Sequence, residues 1–226
     1  PLSVPLASKT AESADYSRTN VQVEGVDEAD IVKTDGRYIY TLSGRTIRVA
    51  VADNGNLSKV TSIEFDKNDQ VREFFLSENR LVVYGQRYVP PVPLPQEQQG
   101  KAIPYHYQSS SRTFVRIYNV VDPKMPIIAR ELEFDGMYTT SRLIGSMSYL
   151  VANSQSIYAL SGADLLEESA LVPRYRDVKA STDMKPLVGC TEVASLPPII
   201  SSQYLVVVAI PITAPAAAID KQVILG

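Results

Sequence analysis

Four acidic side chains, Glu24, Asp27, Glu28 and Asp30, fall close together near the start of this 226-residue chain. Carboxylates are hard oxygen ligands, and Glu24, Asp27 and Asp30 form a candidate calcium site. The spacing is not that of an EF-hand loop, and no glycine stands at the turn such a loop needs. The same residues therefore also read as a solvated acidic connection, with one carboxylate tying down loop backbone. Asp27, Asp30 and the distant Asp177 are the carboxylates that could pair for glycoside cleavage, which requires a separation of roughly 5–10 Å. No spacing in the sequence sets that distance, so no catalytic residue is assigned. The letters Asp27-Glu28-Ala29-Asp30 spell a helicase motif, but no phosphate-binding loop accompanies them.

The single histidine, His106, lies between Tyr105 and Tyr107 in a stretch rich in Pro and Gln. One histidine disfavours a multi-histidine metal centre and a Ser–His–Asp triad. Tyr105, His106 and Tyr107 read either as surface residues of a loop or as an aromatic contact patch for a protein or glycan, since tyrosine offers apolar area with a hydrogen-bonding tip. Arg174, Tyr175 and Asp177, in a second long connection, are candidates for the same kind of contact. The run Pro90 to Pro95 reads as a stiff loop or a polyproline II ligand. Asn56-Leu57-Ser58 fits an N-glycosylation acceptor. The one cysteine, Cys190, excludes a disulfide within the chain and any zinc site built from several thiolates.

Composition narrows the partners. A formal net charge of −3 with scattered basic residues lacks the footprint of nucleic-acid binding. The most apolar window, Tyr204 to Ile219, is too short for a transmembrane helix and contains Pro211 and Pro215. Its Val206-Val207-Val208 run predicts a buried strand. No leader is legible in Pro1 to Pro5, as in any processed protein.

The elements that must position these groups are strands. Residues 1–28 read as a lead-in without period, and beyond Ala29 short runs of Val, Ile, Tyr and Thr alternate with turn residues. Ile31 to Thr34, Asp35-Gly36 and Arg37 to Leu42 predict a hairpin with a tight type I′ turn. Strands at Thr46–Val51 and Lys59–Phe65 complete a unit of four, here a to d. The grammar recurs twice. The fourth strands match closely, Ser62-Ile63-Glu64-Phe65 against Glu131-Leu132-Glu133-Phe134.

Four-stranded units in tandem predict an all-β propeller of antiparallel blades, because one small sheet cannot bury both faces alone. Three blades are expected, at about 29–66, 71–135 and 138–226, within a partial propeller spanning 29–226. A closed ring needs roughly four to eight, so the remaining blades are expected from another segment or another chain. Insertions at about 87–112 and 153–202 lengthen the b–c connections of the second and third blades. Strands alternate in direction, so both insertions leave from one end of the ring. The acidic stretch before the first strand is expected to approach from that end too. Long loops on a rigid scaffold are where binding concentrates.

Tyr16-Ser17-Arg18-Thr19-Asn20-Val21-Gln22-Val23-Glu24-Gly25-Val26-Asp27-Glu28-Ala29-Asp30-Ile31-Val32-Lys33-Thr34-Asp35-Gly36 closely resembles the opening of a family of secreted prokaryotic proteins. That family carries a β-propeller domain distantly related to WD40 repeats. Leu171 to Asp177 is similar to its third-blade insertion, with Val178 where the family suggests Ser. The resemblance implies export, a propeller fold and considerably longer members; it implies no activity and no catalytic residue. Together these readings predict an extracellular or cell-surface scaffold that binds a protein or glycan, with no cofactor other than a candidate calcium ion. The alternatives are an exported enzyme using carboxylates or calcium, and a structural component of a surface layer or filament.

Overall fold

The protein is described by a computed structural model covering residues 25–53, 55–90, 111–155, 171–198 and 203–226. Among these residues the chain is built of β-strands, with one 3-10 turn at Cys190–Glu192. Among the described residues no helix is long and apolar enough to cross a membrane. The strands, in chain order, are β1 (Val26–Glu28), β2 (Val32–Thr34), β3 (Tyr38–Ser43), β4 (Thr46–Asp53), β5 (Asn56–Glu64), β6 (Asp69–Ser77), β7 (Arg80–Tyr88) and β8 (Ser111–Asn119). They continue with β9 (Ile127–Asp135), β10 (Met137–Ile144), β11 (Met147–Gln155), β12 (Arg174–Asp177), β13 (Lys185–Pro186), β14 (Ala194–Ser195), β15 (Gln203–Pro211) and β16 (Asp220–Leu225).

Three sheets result. Sheet 1 is β2-β3-β4-β5, sheet 2 contains β6-β7-β8-β9, and sheet 3 contains β10-β11-β15-β16, each antiparallel and each in chain order. The sheets stack through their apolar faces. Tyr40, Ile47, Val49 and Ile63 of sheet 1 pack with Phe74, Leu81, Val83 and Phe114 of sheet 2. The alternate residues Val82, Tyr84, Val115 and Ile117 turn the other way, onto Leu143, Leu150, Val206 and Val208 of sheet 3. Sheet 2 is thus covered on both sides, and Leu81–Gln86 and Thr113–Tyr118 are buried without interruption. The outer sheets alternate instead, as strands with one covered face must. Full burial of a leucine or phenylalanine contributes roughly 1.5–3 kcal/mol, so these two interfaces hold most of the described fold together.

Extra strands close the edges. At the outer rim, β12 pairs antiparallel with β9, and β13 with β12. β14 runs parallel to β16. All three come from the connection between β11 and β15, so the segment expected as a b–c insertion covers the outermost strands of sheets 2 and 3. An unpaired strand edge exposes a row of N–H and C=O groups, and short added strands satisfy it.

Two local expectations need correction. The turn after β2 is not type I′: only Gly36 has a positive φ, +93°, whereas that turn requires two such residues. The Asp35 carboxylate instead accepts from the N–H groups of Arg37 (2.9 Å) and Tyr38 (2.7 Å) and widens the loop. The acidic stretch, moreover, does not arrive from the end of the b–c insertions. Val26 pairs with Ile144, next to the turn between the first two strands of sheet 3. The free inner edge of β10 offers β1 a ladder there, which outweighs any preference for an open loop.

Candidate functional site

The segment from Val26 to Thr34 pairs with strands of all three sheets. β1 lies on β10, Asp30 bridges Phe74 of β6, and β2 lies on β3. The Asp30–Phe74 bridge has both backbone hydrogen bonds, at 3.1 and 3.0 Å. From sheet 1 the buried Lys33 reaches back to β1, donating to the Asp27 carboxylate at 2.9 Å and the Glu28 carbonyl at 2.6 Å. A buried ammonium persists only with such partners. Asp30 Oδ1 accepts from the N–H of Ile31, and Glu28 lies 3.4 Å from Arg142. Among the described residues no three His, Cys, Asp or Glu side chains gather as a metal site. Glu24 lies outside the described residues.

A second constellation spans sheet 2 at the end where the connection from β7 to β8 leaves. Asp69, Arg87, Arg112 and Asp135 occupy one row across β6, β7, β8 and β9. Arg87 grips Asp69 with two hydrogen bonds, 2.7 and 2.9 Å. Arg116 adds a third at 2.9 Å and lies 3.0 Å from Glu131. Glu133 is ringed by Arg87, Arg112 at 3.5 Å and Arg176 at 2.8 Å. The carboxylates of Asp69 and Glu133 are fully buried. The Arg116 guanidinium also covers the rings of Phe65 and Phe114, 5.2 and 5.0 Å from their centroids. Burial opposes the charge on Arg87, but its hydrogen bonds and the surrounding carboxylates raise its pKa further. It stays charged at every ordinary pH.

The candidates on β12 belong to this lattice. Arg174 donates to Asp135 at 2.9 Å, and Asp177 accepts from Arg130 at 2.9 Å. Tyr175 stacks on Phe134 with centroids 6.1 Å apart. The ammonium groups of Lys185 and Lys221 lie 5.0 and 4.8 Å from its ring centroid. The structure therefore brings Arg174, Tyr175 and Asp177 together, and each binds within the fold. It does not bring Asp177 to Asp30. They lie at opposite edges of sheet 2, separated by five steps across the ladder. At about 4.8 Å per step that is roughly 24 Å, beyond the reach of a carboxylate pair.

Tyr105, His106 and Tyr107 lie outside the described residues. Asn56 is exposed at the start of β5, and Cys190 is half-buried. Reading the sequence missed Asp69, Arg87, Arg112, Arg116, Glu131, Glu133 and Asp135. A signal existed: Arg112 and Arg116 share one face of β8, and Glu131, Glu133 and Asp135 alternate along β9. Same-face charges on two strands otherwise made of core residues call for each other across the ladder.

The sequence profile described as Beta propeller domain matches residues 16–226. An uncharacterized protein of Methanocaldococcus jannaschii is 28% identical over 148 residues, 66% of this chain and 19% of that protein. An uncharacterized protein of Archaeoglobus fulgidus is 58% identical over 40 residues, 18% of this chain and 6% of its own length. The matched stretches thus span a small part of both relatives. No solved structure matches the chain.

Proposed function

This chain belongs to the Beta propeller domain family, and on that premise we propose that it is a binding scaffold outside the cell or on its surface. Its partner is a protein or glycan, held where the connection between β7 and β8 leaves sheet 2. The observation that carries this reading is the buried lattice of Asp69, Arg87, Arg112, Arg116, Glu131, Glu133 and Asp135. It fixes the strand ends at the root of that connection. A rigid base beneath a long loop is the usual construction of a recognition surface. Tyr88, half-exposed at the end of β7, and Tyr105, His106 and Tyr107 supply its contact groups.

A scaffold accounts for the described carboxylates better than an enzyme does. Asp27 faces Lys33, Asp177 faces Arg130, Asp69, Glu131, Glu133 and Asp135 of sheet 2 face arginines, and Glu73 of β6 accepts from the hydroxyls of Tyr138 and Ser141. General acid–base work needs a carboxyl whose environment leaves it available to a substrate.

The test replaces residues 91–110 with a short Gly-Ser turn and screens both proteins on a glycan array and against purified surface proteins. At least tenfold weaker binding with an unchanged melting temperature is expected. Binding untouched by the deletion overturns the reading, and sugar release from the array restores the enzyme alternative. Cell fractionation checks the location. If the chain is exported by a glycosylating host, intact mass should place a glycan on Asn56, lost in Asn56→Gln.

A further inference from the structure

Among the described residues, one carboxylate departs from the rule that the others follow. Every other buried or half-buried carboxylate faces a cation: Asp27 meets Lys33, Glu28 meets Arg142, Asp177 meets Arg130, and Asp69, Glu131, Glu133 and Asp135 meet arginines. Glu73, half-buried on β6, meets none of the described cations. Its Oε1 accepts from the Tyr138 hydroxyl and from Ser141 Oγ at 3.3 Å, and those two hydroxyl oxygens lie 2.7 Å apart. Its Oε2 accepts from no described residue. A carboxylate withdrawn from water without a counter-charge is costly, and half of its acceptor capacity here is unused.

Two β-bulges assemble the cluster. Val71 and Phe74 both belong to the core shared with sheet 1, and the register of β6 on β7 slips between them, from Val71 opposite Gly85 to Glu73 opposite Tyr84. The extra residue, Arg72, is exposed, and Glu73 turns to sheet 3. Unbroken alternation from Val71 would have aimed Glu73 at sheet 1. β10 slips in the same way between Tyr138 and Thr140, with Thr139 exposed, which brings Tyr138 to the side of Ser141. Bulges re-aim side chains and are concentrated next to functional sites.

The strand edges beside the cluster are open. The segment after β1 leaves β10 at Arg142 and reaches β6 at Phe74, one residue from Ser141 and one from Glu73. From there toward Met137 and Asp69 the inner edges of β10 and β6 meet no other described strand.

We propose that Glu73, with Tyr138 and Ser141, is the seat of a primary ammonium group that a ligand brings between the inner edges of β6 and β10. Oε2 takes one N–H, and the hydroxyl oxygens retain lone pairs for another. A divalent metal suits the cluster less, because it holds one carboxylate and no three acidic, His or Cys side chains gather among the described residues. A lysine side chain and an amino sugar both present the required group. This goes beyond the scaffold reading and does not depend on the partner held at the connection between β7 and β8.

The experiment follows the carbon-13-labelled tyrosine rings of the protein by NMR, with the Tyr138 signal assigned from its loss in Tyr138→Phe. The probe is n-butylammonium chloride at constant ionic strength. The Tyr138 shift should saturate with a dissociation constant of about 1–10 mM. Tetramethylammonium, which has no N–H to donate, should bind at least tenfold more weakly. Glu73→Gln keeps the shape, removes the charge and should weaken butylammonium at least tenfold, whereas Glu64→Gln, an exposed acid of sheet 1, should leave it unchanged. Glucosamine and Nα-acetyl-lysine amide are titrated alongside, and the tighter of the two identifies the source of the ammonium group. If Glu73→Gln does not fold, the comparison of the two ammonium ions on the unsubstituted protein decides. A Tyr138 shift that fails to saturate by about 50 mM, equal affinity for the two ammonium ions, or an affinity untouched by Glu73→Gln overturns the proposal.

Discussion

The side chain of Gln86 holds the backbone at Gly136, where the chain passes from sheet 2 to sheet 3. Its Nε2 donates to the Gly136 carbonyl at 2.9 Å, and its Oε1 accepts from the N–H of Tyr138 at 3.0 Å. The amide acts as one residue of a partner strand for backbone that has left the ladder. Thr113 donates to the same carbonyl at 3.1 Å. Gly136 has φ +112°, and a Cβ there would lie 2.6 Å from the carbonyl oxygen of Asn153.

Gln86→Leu should therefore lower stability by about 1–3 kcal/mol, because the Tyr138 N–H loses its partner. Gly136→Ala should cost about 1–3 kcal/mol from backbone conformation alone, with the Asn153 clash added. Urea unfolding of both variants checks this. Gln86→Glu should fall between wild type and Leu, since it keeps the acceptor and loses the donor.

Glu133 is the hub of the buried lattice. Glu133→Gln leaves Arg87, Arg112 and Arg176 facing one another with a negative charge removed. Breaking a buried pair typically costs about 3–5 kcal/mol, and a loss of that order should appear as an earlier unfolding midpoint. A change below about 0.5 kcal/mol would mean that the lattice is solvated and gives little rigidity to the strand ends it joins.

Two buried tyrosines should respond oppositely to loss of the hydroxyl. Tyr84 shares a short hydrogen bond with Ser148, and Tyr84→Phe should destabilise by about 1 kcal/mol. Among the described residues the buried Tyr40 hydroxyl has no hydrogen-bond partner. Tyr40→Phe should leave stability unchanged or raise it by about 1 kcal/mol. Parallel thermal melts distinguish the two.

Alkaline pH should unfold the protein through its tyrosines. Burial pushes Tyr40 up to about 12, and Tyr118 to about 12 despite Arg116 nearby. Burial raises Tyr84 as well, and burial together with the Glu73 carboxylate raises Tyr138. An unfolded tyrosine ionises near pH 10. Below that pH both states hold the proton and stability is complete. Between 10 and 12 the unfolded chain loses protons that the folded one keeps, so stability falls as pH rises. Melting temperatures from pH 8 to 12 should stay level and then drop. Absorbance of tyrosinate should show these four residues ionising only with unfolding.

The sequence by itself determined the strand grammar. Alternating apolar residues in runs of six to nine, punctuated by turns, specify which segments extend and which side chains face inward. The repeat of Ser62 to Phe65 in Glu131 to Phe134 identified the sheets as copies of one unit, from which stacking follows because a lone sheet leaves a face bare. Tertiary structure alone decided where the spare strands go. β12 falls in the connection between two strands of sheet 3 yet pairs with sheet 2, and β1 precedes sheet 1 yet pairs with sheet 3. A strand's own residues state that it will extend and not which edge it will meet. That choice rests on which edges remain unpaired once the sheets have stacked, and on complements such as Arg174 with Asp135 and Lys33 with Asp27. Asp27, Arg174 and Asp177, which read as candidate ligands or contacts, became ties between strands for the same reason: with the stack formed, each had an opposite charge within reach, whereas Asp30 stayed exposed and accepts only from the neighbouring Ile31 N–H.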